Sequence, residues 1–373
     1  MALTNKPLSL PIEFDDLDVT RWLHTSATYR VALLIPLCGA AGIWSPSCIS
    51  SAQVAAAELN RRSGIDGRKV ELIMIDAAIE SDIPLEETIR SLIQRGAIDA
   101  IVGMHISAMR HRIRNVVHQK VPFIYTPLYE GGERTDGLFA IGETPEEQLG
   151  PSLNYIQQTY QPRRWAMVGN NYVWPRLSNH VAKQNIRAFN ADLVYERYLP
   201  FGFNKMEDIV EAITNSEAEA VLISLIGQDA ITFNRAFGQA DLHNQMVRLS
   251  CAIEENGLLG CGAKNTKRMF VASAYFSTLR TEANAAFKEH YFQLHGENAP
   301  VLNTLGQSMY EGLHFLAGLM RNHRNDWQSY NFTDSPLVAH RSVRKFSNGT
   351  SKKRAPIYLA RADGLKFTEI QRL

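Results

Sequence analysis

Apolar runs of strand length alternate with amphipathic helical stretches along most of this chain. Residues 29–36 form a continuous apolar run that ends before Gly39, which is typical of a parallel strand covered on both faces. Residues 50–62 follow with helical composition and stop before Gly64. The pattern continues with strands over 70–76, 97–103 and 122–126 and with helices over 84–94 and 108–119. This alternation predicts a doubly wound parallel sheet.

The pattern restarts at Trp165 and predicts a second sheet. Strands over 165–169, 192–198, 220–224 and near 247 alternate with helices over 175–189, 206–215 and 229–240, and longer helices follow over 281–295 and 304–322. Asp363 and Gly364 then join two short strands, 357–361 and 365–370, which is a hairpin signal. The fold class is therefore α/β, with two doubly wound lobes. Ligands of such sheets bind beyond the carboxyl ends of the strands, so two facing sheets predict a cleft that closes by hinge motion.

Composition and the absence of several motifs argue against some classes of function. The chain has 373 residues, with 39 Lys and Arg against 38 Asp and Glu, so no overall field attracts nucleic acid or an anionic membrane. Its four cysteines show no zinc-type spacing, and we expect them to be reduced and mostly buried. No phosphate-binding glycine motif and no nucleophile elbow follows a strand. We therefore predict a protein that is not an enzyme and that has no cofactor and no metal.

The first 25 residues contain four acidic side chains where a secretory leader would need an apolar run. This predicts a cytoplasmic protein, or a periplasmic one if a natural leader precedes the first residue.

Candidate ligand contacts stand just beyond the predicted strands. Ser107 is a candidate helix N-cap whose hydroxyl and neighbouring amides can hold a ligand oxygen, although a plain helix cap is an equal alternative. Tyr125 and Thr126 lie beside Pro127 in a turn suited to a pocket wall. Tyr172 and Trp174 precede Pro175, which we place at the first position of a helix. These two aromatic rings either face the cleft or pack on the adjacent helix.

Three segments carry a family resemblance: VPFIYTPLYEGGE, GNNYVWPRLSNHV and ASAYFS. They resemble the type I periplasmic-binding-protein superfamily, which includes proteins that bind leucine, isoleucine and valine, urea, or short-chain amides. The strongest likeness is to the cytoplasmic amide sensor that controls the aliphatic amidase operon. The resemblance covers about residues 29–322 and implies two lobes joined by a three-crossover hinge. We accordingly expect an N-terminal extension (1–28), a first lobe (29–142 plus 275–323) and a second lobe (143–274 plus 324–373).

The resemblance also implies a set of ligand-binding positions. Ser107 stands where the family's serine binds the polar head of the ligand, and His105 stands where the amide sensor has tyrosine. Pro127 and Trp174 replace a threonine and a second tyrosine, so a larger amide, a urea-like compound or an aromatic or heteroaromatic amide is expected rather than acetamide. An amino-acid ligand would need a carboxylate pair for its ammonium group, and Glu254 or Glu255 is the nearby candidate. The complete set is His105, Ser107, Tyr125, Thr126, Pro127, Tyr172, Trp174, Gly227, Gln228 and Tyr275, with Leu37, Cys38 and Glu254 as additional candidates.

Two functions fit these observations. The first is a sensor that closes on a small amide or related polar molecule and regulates a partner protein that controls gene expression. The second is the substrate-binding protein of an ABC importer for amides, urea or branched-chain amino acids, with a membrane permease as its partner. The acidic N-terminus favours the first. In neither case do we expect direct binding of nucleic acid, and the family resemblance implies a homo-oligomer.

Overall fold

The alternating elements build two separate β-sheets, as the sequence predicts. The computed structural model describes residues 12–13, 27–330 and 356–373. The strand order is β1-β3-β2-β4-β5-β6 in the first sheet and β13-β12-β11-β10-β9-β7-β8 in the second. Within these ranges the paired strands are parallel, except that β12 pairs antiparallel with both β11 and β13. The predicted α/β class and the C-terminal hairpin are confirmed.

The strands of the first sheet are β1 (Ile12–Glu13), β2 (Thr28–Ile35), β3 (Lys69–Asp76), β4 (Ala100–Gly103), β5 (Phe123–Tyr125) and β6 (Leu138–Ala140). Those of the second are β7 (Arg164–Asn170), β8 (Asp192–Leu199), β9 (Ala220–Ser224), β10 (Val247–Ser250), β11 (Met269–Ser273), β12 (Tyr358–Asp363) and β13 (Lys366–Arg372). The helices are α1 (Ser45–Asn60), α2 (Leu85–Gln94), α3 (Ser107–Val117), α4 (Pro145–Tyr160), α5 (Val173–Ala188), α6 (Met206–Asn215), α7 (Gly227–Gln239), α8 (Glu255–Cys261), α9 (Glu282–His295) and α10 (Thr304–Asn322).

The chain passes between the two lobes more than once. After β6 it enters α4, which packs on α5 and on β11 of the second sheet. After β11 it returns to the first lobe, where α9 and α10 pack on α1. It then supplies β12 and β13 to the second sheet through residues 331–355, which lie outside the described residues. The lobe boundaries given in the sequence analysis stay a prediction, and most of the N-terminal extension also lies outside the described residues.

Several helix starts differ from the sequence prediction, each for a local reason. Helix α1 begins at Ser45 rather than at residue 50, with a proline in its first turn. Ser107 is not the N-cap of α3 but its first residue, because the extended backbone of Ile106 occupies the cap position. Pro175 is the third residue of α5, not the first, since that helix begins at Val173.

Among the described residues, five elements were not predicted from the sequence, namely β1, β6, β11, α4 and α8, and all of them except α4 are short.

Helix α10 approaches the first sheet unusually closely. A Cβ at Gly312 would stand 2.4 Å from Thr126 Cγ2 and 2.9 Å from Val102 Cγ1. The same helix has a second glycine, Gly318, around which no heavy atom lies within 4 Å of an added Cβ. The close contact at Gly312 therefore sets how near α10 lies to β4 and β5. Among the described residues, no helix is both long and apolar enough to span a bilayer.

We expect Gly312→Ala to destabilise the fold by about 1–3 kcal/mol, because the added methyl group overpacks the contact with β4 and β5. Gly318→Ala is the matched control on the same helix. It should leave the free energy of unfolding unchanged or raise it by up to about 1 kcal/mol, since alanine is the better helix former. Urea unfolding of both variants measures the difference. Equal stability of the two variants would contradict the close packing of α10.

Candidate functional site

A narrow cavity of about 20 Å³ lies between the carboxyl ends of the two sheets, where the two-lobed fold predicts a ligand. Both lobes contribute to its wall. The lining residues are Trp44, His105, Ile106, Ser107, Tyr125, Pro127, Leu128, Tyr172, Trp174, Ile226, Ala252 and Leu305. Four of these side chains are large aromatic rings, and none is an aspartate, glutamate, lysine or arginine. The wall is therefore mostly apolar and carries no formal charge at neutral pH.

His105 is held as a neutral ring with a defined tautomer. Its Nδ1 lies 3.1 Å from the carbonyl of Ile106, and since a carbonyl can only accept, Nδ1 must donate. Burial lowers the pKa of His105 to about 4, so the ring is uncharged at neutral pH. Its Nε2 is then a buried acceptor, and no described residue donates to it. A ligand that reaches this nitrogen must offer a hydrogen-bond donor.

Helix α3 begins at the cavity wall with Ser107. Met109 is the first residue of the helix whose amide donates to the carbonyl of Ile106. The amides of Ser107 and Ala108 precede it and have no partner within the helix, so they can donate to a ligand oxygen. The Ser107 hydroxyl receives a hydrogen bond from Arg110 Nη1 at 3.4 Å and lies 3.4 Å from Tyr125 Oη. The start of α3 is thus the most polar part of the wall.

A buried ion cluster supports this wall from behind. The Arg110 guanidinium binds Glu130 at 2.5 Å and Glu133 at 2.9 Å, and it lies over the ring of Tyr125 at 4.8 Å. Burial would raise the pKa of Glu130, but Arg110 together with hydrogen bonds from His111 and Ser107 lowers it. Both carboxylates therefore remain charged at neutral pH. The cluster fixes the position of α3 relative to β5 without placing a charge on the cavity surface.

The second lobe closes the cavity with Tyr172 and Trp174. The two ring centroids are 6.5 Å apart, and Tyr172 also contacts Phe201 at 5.5 Å. Burial raises the pKa of Tyr172 well above its usual value, so its phenol stays neutral. Trp174 is 3% exposed, and its Nε1 donates to no described residue. A buried donor without a partner is costly, and Trp174 lines both this cavity and the space beside Gln148 and Ser178, so a group in either could accept from its indole N–H.

The structure brings together six of the predicted positions, namely His105, Ser107, Tyr125, Pro127, Tyr172 and Trp174. Other predicted residues lie elsewhere. Thr126 faces α10, where its hydroxyl receives a hydrogen bond from Ser308. Tyr275 is buried in the lobe connection, and its Oη donates to Asn284 at 2.7 Å. Leu37 and Cys38 are exposed beside Asp76, outside the cavity.

Gly227, Gln228 and Glu254 hold the lobes together instead of lining the cavity. The side chain of Gln228 is exposed, and its backbone N–H donates to the carbonyl of Ala40 across the cleft at 2.9 Å. Gly227 has φ +50°, and an added Cβ would stand 2.0 Å from the same carbonyl. Glu254 accepts a hydrogen bond from Trp44 Nε1 at 3.0 Å. These residues act on lobe closure.

Sequence reasoning missed half of the wall. Trp44, Ile106, Leu128, Ile226, Ala252 and Leu305 line the cavity but were not predicted. Leu128 directly follows Pro127 and Ile226 directly precedes Gly227, so extending each segment of predicted positions by one residue would have found both. Trp44 had no such signal, because it lies in a short turn between β2 and α1. No cluster of three or more potential metal ligands is found among the described residues, and the four cysteines are free thiols.

We expect Gly227→Ala to shift the protein towards an open form, since its Cβ would collide with the backbone of Ala40 across the cleft. Gly202→Ala is the matched control: Gly202 has φ +70° but no atom within 4 Å of an added Cβ. Both variants strain a left-handed backbone position, whereas only Gly227→Ala obstructs closure. Small-angle X-ray scattering should show a larger radius of gyration for Gly227→Ala alone. An equal radius for the two variants would refute the contact.

Solved structures of known proteins resemble this fold over nearly its full length. A branched-chain amino acid transporter substrate-binding protein, LivJ from Streptococcus pneumoniae in complex with isoleucine, aligns with TM-score 0.78 and 15% identity over 93% of this chain and 99% of that one. A branched-chain amino acid ABC transporter protein from Thermus thermophilus with bound valine gives 0.76 and 13% over 93% and 96%. An ABC transporter solute-binding protein from R. palustris with 4-hydroxybenzoate gives 0.72 and 15% over 93% and 97%.

At these identities the structural likeness establishes the fold alone, and the particular closeness to the amide sensor stays a prediction. Family membership rests on a different comparison. The family model described as "Periplasmic binding protein" matches residues 28–329, which is well over half of the chain. This chain therefore belongs to the periplasmic binding protein family.

Proposed function

We propose that this protein is the substrate-binding component of an ABC importer and that its ligand is a small uncharged amide with an aromatic body. The observation that carries the proposal is the interlobe cavity, whose wall contains four aromatic rings and no charged side chain. Of the two functions expected from the sequence, this is a form of the second. An aromatic amide is also among the ligands expected from the sequence, where Trp174 replaces the second tyrosine of the amide sensor.

The body of the ligand follows from the rings. Trp44 and Tyr125 lie on the first-lobe side, and Tyr172 and Trp174 on the second-lobe side. Aromatic side chains favour flat apolar groups through offset and edge contacts. In the described form the cavity has a volume of only about 20 Å³, so a ring-sized ligand enters only when the lobes move apart and the facing walls make room for it.

The head group follows from the direction of the hydrogen bonds. The amides at the start of α3 and the Nε1 of Trp174 are donors, and they suit a carbonyl oxygen. The Nε2 of His105 is an acceptor and suits an N–H group. A primary carboxamide offers both on neighbouring atoms, whereas an ionised carboxylate offers acceptors only.

A zwitterionic amino acid fits this wall less well. Its ammonium group would need a carboxylate, and no acidic side chain lines the cavity. Glu254 was the predicted candidate, but one of its oxygens already accepts from Trp44. We therefore favour amides over branched-chain amino acids, although proteins of similar fold are described with isoleucine and valine.

The comparisons support the importer over the sensor. The similar structures are described as substrate- or solute-binding proteins of transporters, and this supports a permease as the partner. The sensor remains the alternative, with a cytoplasmic location and a regulator as partner. The homo-oligomer that the resemblance implied is likewise a proposal.

We expect benzamide to raise the melting temperature more than benzoate does, and L-leucine to have no effect. A ligand at 100 times its dissociation constant adds about 2.7 kcal/mol of stability. Differential scanning fluorimetry across these three compounds makes the comparison. Stabilisation by leucine but not by benzamide would overturn the ligand class.

Two variants serve as a matched pair in this assay. Trp174→Phe keeps a ring but removes the indole donor, so the affinity for benzamide should fall about 2- to 10-fold. Trp165→Phe removes another buried indole N–H that has no described partner, but Trp165 lies in the core of β7. It should leave the affinity unchanged. Equal losses in both variants would place the Trp174 donor outside the site.

The location of the protein in its host separates the importer from the sensor. The importer predicts recovery of the product of the full-length gene outside the cytoplasmic membrane. Cell fractionation of the native host makes this measurement, with a cytoplasmic enzyme as the leakage marker. Recovery with the cytoplasmic marker would favour the sensor.

A further inference from the structure

Residues 36–44 join β2 to α1, and the part formed by residues 40–44, the first-lobe loop, contacts the second lobe across the cleft through three hydrogen bonds. The backbone N–H of Gln228 donates to the carbonyl of Ala40, and the side-chain Nδ2 of Asn256 donates to the carbonyl of Ile43, each at 2.9 Å. Trp44 Nε1 donates to Glu254 Oε2 at 3.0 Å. Of the three loop residues, only Trp44 also lines the ligand cavity. Its hydrogen bond therefore couples lobe closure to the position of a ligand-contacting ring.

Glu254 is an unusual partner for this hydrogen bond because it is a buried carboxylate that forms no ion pair with any residue that the structure describes. Glu254 is only 3% exposed to solvent. Its Oε2 accepts from Trp44, while no described residue donates to Oε1. The titratable groups that interact with it electrostatically are Glu255 of the same loop–helix segment, Cys48 of α1 and Cys261 of α8. None of these can neutralise a negative charge.

The closed cleft therefore favours the protonated acid. Burial raises the pKa of Glu254 to about 7, although the bond from Trp44 opposes the shift. With the proton on Oε1, the carbonyl-like Oε2 still accepts from the indole. Opening the cleft returns the carboxyl to water, where the ordinary pKa of glutamate is about 4.3. At a pH between these two pKa values, closing the cleft therefore binds a proton at Glu254. As the pH rises through 7 that proton is lost, and the closed form is stabilised less.

We propose that Glu254 is a positioning residue: by binding Trp44 it locks the first-lobe loop against the second lobe, and it makes ligand affinity fall as the pH rises through neutrality. The lock itself is independent of the ligand's identity, whereas its effect on affinity rests on the proposed function.

The affinity test uses isothermal titration calorimetry with benzamide, which is uncharged between pH 6 and pH 8.5. Between pH 6 and pH 8.5, the ratio of the wild-type dissociation constant to that of Glu254→Gln should rise about tenfold, which is the linkage expected for a group with pKa about 7 in the closed form. Glu254→Gln can still accept from Trp44 but cannot titrate at this position. His105 has a pKa of about 4 in the closed form, so its exposure on opening acts in the opposite direction, but it is present in both proteins and its contribution cancels in the ratio.

Glu255→Gln is the matched control. Glu255 is the neighbouring, half-buried carboxylate, and burial raises its pKa as well, but its Oε1 accepts from the backbone amide of Ser277 and not from the first-lobe loop. Relative to Glu254→Gln, this variant should show the same tenfold rise as the wild-type protein. Absence of that rise in the wild-type protein, or its loss in Glu255→Gln, would overturn the proposal.

A ligand-free measurement separates failure of the lock from failure of the proposed function. The indole ¹H–¹⁵N signal of Trp44, assigned as the one that disappears in Trp44→Phe, should shift with a midpoint near pH 7 in the wild-type protein. It should not shift in Glu254→Gln. A signal that is constant from pH 6 to pH 8.5 would refute the lock. If benzamide does not bind but the signal titrates, the ligand class is wrong and the lock stands.

Discussion

The ligand cavity can exist only while the two lobes are in contact, because each lobe supplies part of its wall. Ligands of a parallel sheet bind beyond the carboxyl ends of its strands, and a single sheet leaves such a ligand open to solvent on one side. Two edges facing each other enclose a volume, but only if the backbones can approach closely. Gly227 provides that approach, since any side chain there would collide with the carbonyl of Ala40. The contact between residues 40–44 and the second lobe is thus the condition on which the site depends.

The sequence predicted the fold well because the elements carry strong periodic signals. Strand β2 is buried along nearly its whole length, and α2 places Leu85, Ile89 and Leu92 on one face. Strand β6 was missed although β5, which also has three residues, was predicted, because no helix separates the two and the strand–helix alternation gives no signal there. Strand β11 follows the seven-residue α8, which was itself too short to show a helical period. The order of the elements, rather than their boundaries, fixed the architecture.

The site was predicted less completely, because neighbouring residues at a strand end face opposite sides. Tyr125 lines the cavity, whereas Thr126, one residue later, points to α10. The motif contained both, and nothing in it distinguished them. Trp44 and Glu254 are 210 residues apart in sequence, and their pairing depends on how the lobes close. Such a contact is set by tertiary geometry, which a single sequence does not reveal.

The position of charge around the cavity decides what kind of molecule the cavity suits. Arg110 lies behind Ser107 and Tyr125, but Glu130 and Glu133 bind it, so its charge is compensated before it reaches the wall. Glu254 lies on the other side and, in the closed form, is favoured as the neutral acid. The polar groups left at the wall are then dipoles: helix amides, an indole N–H and an imidazole nitrogen. Dipoles of this kind discriminate by the direction of a hydrogen bond rather than by net charge, so a ligand that both donates and accepts is matched better than one that carries a full charge.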